Sequence, residues 1–225
     1  MSRLLPDKIS KILFIVTAIL MSVNLYVIFA VTPMVPEQHW AQKIFYVHVP
    51  IAWTGFLSYF IVMLAGIIFL VKKDSKWDRV GLAAAELGTM FVVLVLITGP
   101  IWATPIWGKP WIWEPRLTTT LILFLTYVGY FMLRKFGGHA ERVARLAAVL
   151  GILAFINVPL IFYSVKLWTP QFQLHPQVEM NQQPDGILFP FLFSMFIFTL
   201  LYILMMRIRI QILNFKHKLL TEENV

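Results

Sequence analysis

A bundle of six membrane-spanning helices is the fold that this sequence predicts, on three observations. The 225 residues are 59% hydrophobic and only 13% charged. That is about half the charge of an average soluble domain, too little to cover a water-facing surface. Six runs carry no charge except for one glutamate, and about 20 apolar residues suffice to cross the hydrocarbon of a bilayer. Finally, Lys and Arg collect in alternate connections, as the positive-inside rule requires of a multi-pass protein.

The spans follow in order as Ile12 to Val31, Ile51 to Val71, Val80 to Trp102, Leu117 to Leu133, Leu146 to Val165 and Gly186 to Met206. Glu86 is the one acid among them. Backbone polar groups in lipid must be satisfied internally, so each run is a helix, and none alternates as a barrel strand would. The first run has the basic start and apolar core of a signal peptide. It is long for one and lacks an A-x-A-like cleavage site, so it reads as an uncleaved anchor. The chain is expected to form one domain, with outer loops at 32–50, 103–116 and 166–185.

Fifteen of the nineteen Lys and Arg residues fall on the side of the two termini, against Lys43, Lys109, Arg116 and Lys166 on the other. Both termini are therefore expected in the cytoplasm. The net charge of +8 is explained by topology, and no nucleic acid is expected as a partner. Membrane lipid covers the outside of the bundle. With no cysteine in the sequence, disulfides, thiolate metal sites and covalent haem attachment through cysteine are excluded.

Seven of the eight tryptophans lie on the outer side, with only Trp77 inside. An ordinary aromatic belt populates both interfaces, so the outer face reads as the working face. His39, His48 and His175 are also outer, while His139 and His217 lie among basic inner residues. The densest segment is Trp107-Gly108-Lys109-Pro110-Trp111-Ile112-Trp113-Glu114-Pro115-Arg116. One reading is an aromatic loop resting in the lipid headgroups. The other is a rigid apolar platform for a ligand. Arg116 falls in the first turn of the fourth span, where the helix dipole disfavours a cation unless an anion sits nearby. Pro115 is a good first helical residue and Glu114 an acidic helix start.

A flat aromatic floor, a nearby cation and two histidines on flanking outer loops suit haem, a planar apolar ring with two propionates and an iron that takes imidazole on each face. His48 stands in Tyr46-Val47-His48-Val49-Pro50, and His175 in Leu174-His175-Pro176. His39 reads as solvated, and Met34 and Met180 as packing residues. Two other classes remain open. A b-type electron-transfer subunit would hold haem between helices, often at two depths, and the inner side offers only His139 and His217 for a second. A membrane transporter of haem would show broken helices and polar sites at mid-membrane. The candidates there are Glu86, read as reaching the interface, Asn24, and Asn157 with Pro159, read as interhelical glue and a kink.

The segment from Trp107 to Arg116 resembles the WGxxWxWDxR signature of the haem-handling proteins of cytochrome c biogenesis. Tyr46 to Trp53 is similar to the outer-histidine segment of the same family. Length, six spans and the sidedness of the termini match its smaller branch, the haem exporter protein C group. The sequence departs from the signature at Glu114, where Asp is usual, and at Pro115. The resemblance implies haem b bound transiently and non-covalently, with His48 and His175 as axial ligands of the iron. Trp107, Gly108, Trp111, Trp113, Glu114 and Arg116 would form the cradle. It further implies loading of a periplasmic haem chaperone, the maturation protein E, whose own histidine forms the covalent bond. The chain itself would then be no enzyme. Its expected companions are the subunits of an ATP-binding-cassette transporter and a small one-span protein, in the bacterial inner membrane with the working face toward the periplasm.

Overall fold

The computed structural model describes residues 7–35, 38–167 and 185–222, and among them there is no β-strand. Helix α1 (Lys8–Tyr26) continues as a π-helical turn over Val27–Val31. A 3-10 turn at His39–Ala41 leads into α2 (Gln42–Lys72), followed by α3 (Ser75–Trp107) and α4 (Pro115–Phe136). Next come α5 (Ala140–Phe155) and α6 (Asn157–Leu167), then α7 (Leu188–Glu222). Taking α5 and most of α6 as one span, six stretches are long and apolar enough to cross a membrane. The chain is an all-α integral membrane protein.

Helix boundaries have local causes. Asp7 caps α1 by accepting from the Ser10 N–H at 3.0 Å. Hydrogen bonds from Ser10 above all, then from Gln211, with the charge of Arg207, hold its carboxyl below the usual carboxylate range. Asp74 caps α3 through the Lys76 N–H at 2.9 Å, and Pro115 opens α4 as its first residue. Gly108 ends α3 with φ 72°, a left-handed conformation that costs glycine little.

Two helices run further than the apolar runs suggest. Residues 42–50 and 103–107, assigned above to outer loops, are helical, and Pro50, Pro100 and Pro105 lie inside α2 and α3. A proline removes only its own N–H and crowds one preceding carbonyl, and packing continues past Pro50 and Pro100. Phe45 still meets Trp102 at 6.0 Å between ring centroids. The fifth span does break, at Ile156, just before Asn157 and Pro159. Asn157 Nδ2 donates to the Thr119 carbonyl at 2.8 Å, so this side chain ties α6 to α4 as an interhelical bond.

The centre of the bundle is the antiparallel α2–α3 pair, kept in register by small residues. A Cβ on Gly81 would touch Ala65, one on Gly88 would clash with Tyr59 and Ser58, and one on Gly55 would press on Val92. Around this seam lie four buried tyrosines, Tyr59, Tyr127, Tyr130 and Tyr202. Tyr59 and Tyr127 stack at 3.9 Å. The Ser58 hydroxyl gives its proton to the Ala84 carbonyl at 2.7 Å and so accepts from the Tyr202 hydroxyl at 2.9 Å. Helix α1 packs on α7 through a polar stripe, since its buried residues are Ser10, Thr17 and Asn24. Asn24 accepts from the Ser194 hydroxyl at 2.9 Å.

Ion pairs tie the basic end. Arg209 grips Glu86 with two bonds of 2.5 and 2.6 Å, which accounts for the one acid in the spans. Arg134 pairs with Asp78 at 2.5 Å and lies over the Tyr130 ring at 4.9 Å. Arg207 reaches Asp7 at 2.8 Å.

Two outcomes follow from this packing. Gly88→Leu would force α2 and α3 apart against the stacked Tyr59, with an expected loss of about 1–3 kcal/mol, read as a lower unfolding midpoint in detergent. For the Glu86–Arg209 pair, a double-mutant cycle with Glu86→Gln and Arg209→Gln is expected to show a coupling of about 1 kcal/mol. Equal additive effects of the two substitutions would count against it.

Candidate functional site

His48 lies on the extended N-terminal part of α2, about two turns inside its start. The α2–α3 register brings it beside Thr98, with His48 Nδ1 2.8 Å from Thr98 Oγ1. The indole of Trp102, one turn further along α3, stands 5.6 Å from the imidazole at 58°. Next to Thr98, Gly99 offers no side chain, and a Cβ there would reach His48 Cε1 at 3.5 Å. A histidine, an indole and a bare backbone thus form one compact group.

From Thr98 to Trp107, α3 runs on for nine residues, about 14 Å at 1.5 Å per residue. The tryptophan-rich connection begins at that end. Gly108 turns the chain, and residues 109–114 run without regular structure into α4. Trp111 and Trp113 meet edge to face at 5.6 Å and 80°. The two rings therefore do not form one flat floor; they form a corner, with Trp113 75% exposed. Edge-to-face contact suits the opposed charges of ring edge and ring face.

Glu114 is buried at 3% exposure and occupies the N-cap position of α4, where its side chain makes no capping bond. Its charge acts on Arg116, whose Nη2 is 3.5 Å from the Phe162 carbonyl on α6. The anion that the position of Arg116 calls for is thus supplied in part from within the chain.

The structure brings His48 together with Thr98 and Trp102, Trp111 with Trp113, and Glu114 with Arg116, all at one end of the bundle. His175 and Trp168 lie outside the described residues. Thr98 and Trp102 were missed as site residues. The signal for both is the α2–α3 register, and Trp102 also shares its side with the other tryptophans. His39 has φ 47° and lines an open cleft of about 350 Å³ with Trp40, Ile44, Ile101 and Pro105. Lys43, counted above as an outer charge, is buried and donates to the Thr32 carbonyl at 2.6 Å, pinning the end of the first span to α2.

What this end can hold is indicated by its polar atoms. The indole N–H groups of Trp102 and Trp111 are buried without a hydrogen-bond partner. Leaving a buried donor unmatched costs about 1–3 kcal/mol, so both fit a ligand that carries acceptors. Among the described residues no three His, Asp or Glu side chains gather to hold a bare metal ion. An imidazole, apolar ring faces, unmatched donors and a guanidinium fit a planar apolar ligand with carboxylates, such as haem.

The model of the family described as "Heme exporter protein C" matches residues 2–223. The "Heme exporter protein C" of Bradyrhizobium diazoefficiens is 36% identical over 189 residues, covering 83% of this chain and 72% of that one. That of Haemophilus influenzae is 30% identical over 204 residues, covering 90% and 83%. That of Escherichia coli K12 is 31% identical over 173 residues, covering 77% and 70%. With nearly its whole length matched by the family model, the chain belongs to the haem exporter protein C family.

Proposed function

We propose that this protein holds haem b at the tryptophan-rich end and presents it to a periplasmic haem chaperone during cytochrome c maturation. The observation that carries this reading is the group formed by His48, Trp102 and the unmatched indole donors, in a chain of this family. His48 and His175 would ligate the iron from opposite faces. Trp107, Trp111 and Trp113 would stand against the ring, with Gly108 setting the turn between the first two. Arg116, kept in place by Glu114 and the Phe162 carbonyl, would pair a propionate through its bidentate fork. Trp102 and Trp111 would give their N–H groups to carboxylate oxygens.

Bound haem supplies the vinyl group at which the chaperone's own histidine attaches. This chain orients and shields, and is not the catalyst. The excess of Lys and Arg at the opposite end supports an orientation with both termini cytoplasmic, in the bacterial inner membrane. The site would then face the periplasm. Partners of the expected kinds are an ATP-binding-cassette transporter and a small one-span protein. Against a b-type electron-transfer subunit stands the placement of the other described histidines: His39 lies at the same end as His48, and His139 and His217 lie among the Lys and Arg residues of the basic end.

Absorption spectroscopy of the detergent-purified protein tests the ligands. Wild type is expected to give a sharp low-spin haem spectrum, and His48→Ala with His175→Ala is expected to lose it. A low-spin spectrum that survives the double substitution would overturn the assignment. The platform has a separate test, in which Trp111→Ala and Trp113→Ala keep the axial ligands but misplace the ring. Transfer of haem to the purified chaperone is then expected to fall roughly ten-fold, the size of one or two lost aromatic contacts. Unchanged transfer would remove the tryptophans from the site.

A further inference from the structure

We propose that Thr98 is the positioning residue that fixes the tautomer of His48 and turns its Nε2 toward the haem iron; this rests on the ligand reading above. A threonine hydroxyl has one proton and two acceptor lone pairs. Thr98 Oγ1 has two close partners, the Leu94 carbonyl at 2.8 Å and His48 Nδ1 at 2.8 Å. A carbonyl can only accept. If the hydroxyl proton went to His48, the Thr98 and Leu94 oxygens would face each other at 2.8 Å with no proton between them. If it goes to Leu94, both short contacts are hydrogen bonds, and the one to His48 is Nδ1–H donating to Thr98 Oγ1.

Neutral imidazole carries one proton, so with Nδ1 protonated the lone pair is on Nε2. Iron needs that lone pair, and the second nitrogen of a metal-ligating histidine normally donates to an orienting acceptor. The rest of the geometry restrains the ring in the same pose. Trp102 tilts against one side at 5.6 Å, and Gly99 leaves room beside Cε1. Thr98 lies fifty residues from His48, in a helix whose own hydrogen bonding gives its hydroxyl proton away. The site thereby gains an acceptor with no charge.

The test begins without haem. Nitrogen-15 spectra of the full, histidine-labelled chain in detergent, assigned with His48→Gln, should show His48 protonated on Nδ1. Thr98→Val keeps the shape and removes the acceptor, and should move the proton to Nε2. Thr98→Ser should restore the wild-type pattern. On loading with haem b, Thr98→Val should weaken retention roughly 10–100-fold, as loss of an outer partner does in metal sites, with Thr98→Ser close to wild type. A proton on Nε2 in wild type, or equal spectra and retention in Thr98→Val, would overturn the role of Thr98. Haem retention unaffected by His48→Ala would instead overturn the ligand reading, with the haem-free spectra still deciding the tautomer.

Discussion

The close antiparallel contact between α2 and α3 is the constraint on which the rest of this structure depends. In a bilayer the hydrophobic effect does not drive helices together, and close packing at small residues takes its place. Here the small residues recur in register. Gly81 faces Ala65, Gly88 faces Tyr59 and Ser58, and Gly55 faces Val92. Continued along the same line, the register sets Thr98 against His48 and Trp102 against Phe45. A slip of one residue would turn these side chains by about 100° around the helix and dissolve the histidine group. Stability and site geometry are therefore set by the same seam.

How much of this was legible in the sequence depends on the range of the interaction involved. Apolar length alone placed six spans, because the cost of a charge in hydrocarbon is local and large. His48 and the tryptophan segment stood out because their residue types are concentrated at one end. The continuation of α2 and α3 through Pro50 and Pro105 did not, since proline marks a local cost while packing against another helix decides whether the helix continues. The corner between Trp111 and Trp113 was beyond sequence for a similar reason: composition gives ring count, and only tertiary contacts give ring angle. Thr98 is the clearest case. Nothing near it in sequence marks it, and only the pairing of α2 with α3 brings it to His48.

One signal was readable and carried more than its composition suggested. Ser10, Thr17 and Asn24 recur every seven residues in α1, and they are the buried face of that helix. In lipid a seven-residue polar repeat marks the face that meets another helix, the reverse of the apolar repeat of a soluble coiled coil. Glu86 belongs to the same logic. Its place near one end of a span suggested contact with the interface, and the structure gives it Arg209 as a partner. Most polar side chains in these spans are thus structural; the buried atoms left unmatched include Thr17 Oγ1, Asn24 Nδ2 and the Tyr127 hydroxyl within the bundle, and at the tryptophan-rich end the indoles of Trp102 and Trp111.

The contacts at that end bear on what a carrier of haem must do. A site that stores its ligand benefits from the strongest axial donor, and a carboxylate on the far nitrogen of a ligating histidine raises its basicity. A site that hands the ligand on must bind and then let go. On the proposed reading, His48 is oriented by the neutral hydroxyl of Thr98, which fixes direction without adding charge to the ring. The guanidinium of Arg116 already has Glu114 and the Phe162 carbonyl as partners. A departing propionate would therefore leave a cation that is still partly compensated. The indoles, in turn, offer hydrogen bonds and ring faces but no net charge. On that reading Arg116 has partners to return to when the ligand departs, whereas the indole donors of Trp102 and Trp111 have none. Release is thus eased at the propionate on the proposed reading, while the two indoles favour a ligand that stays until the partner offers something in exchange.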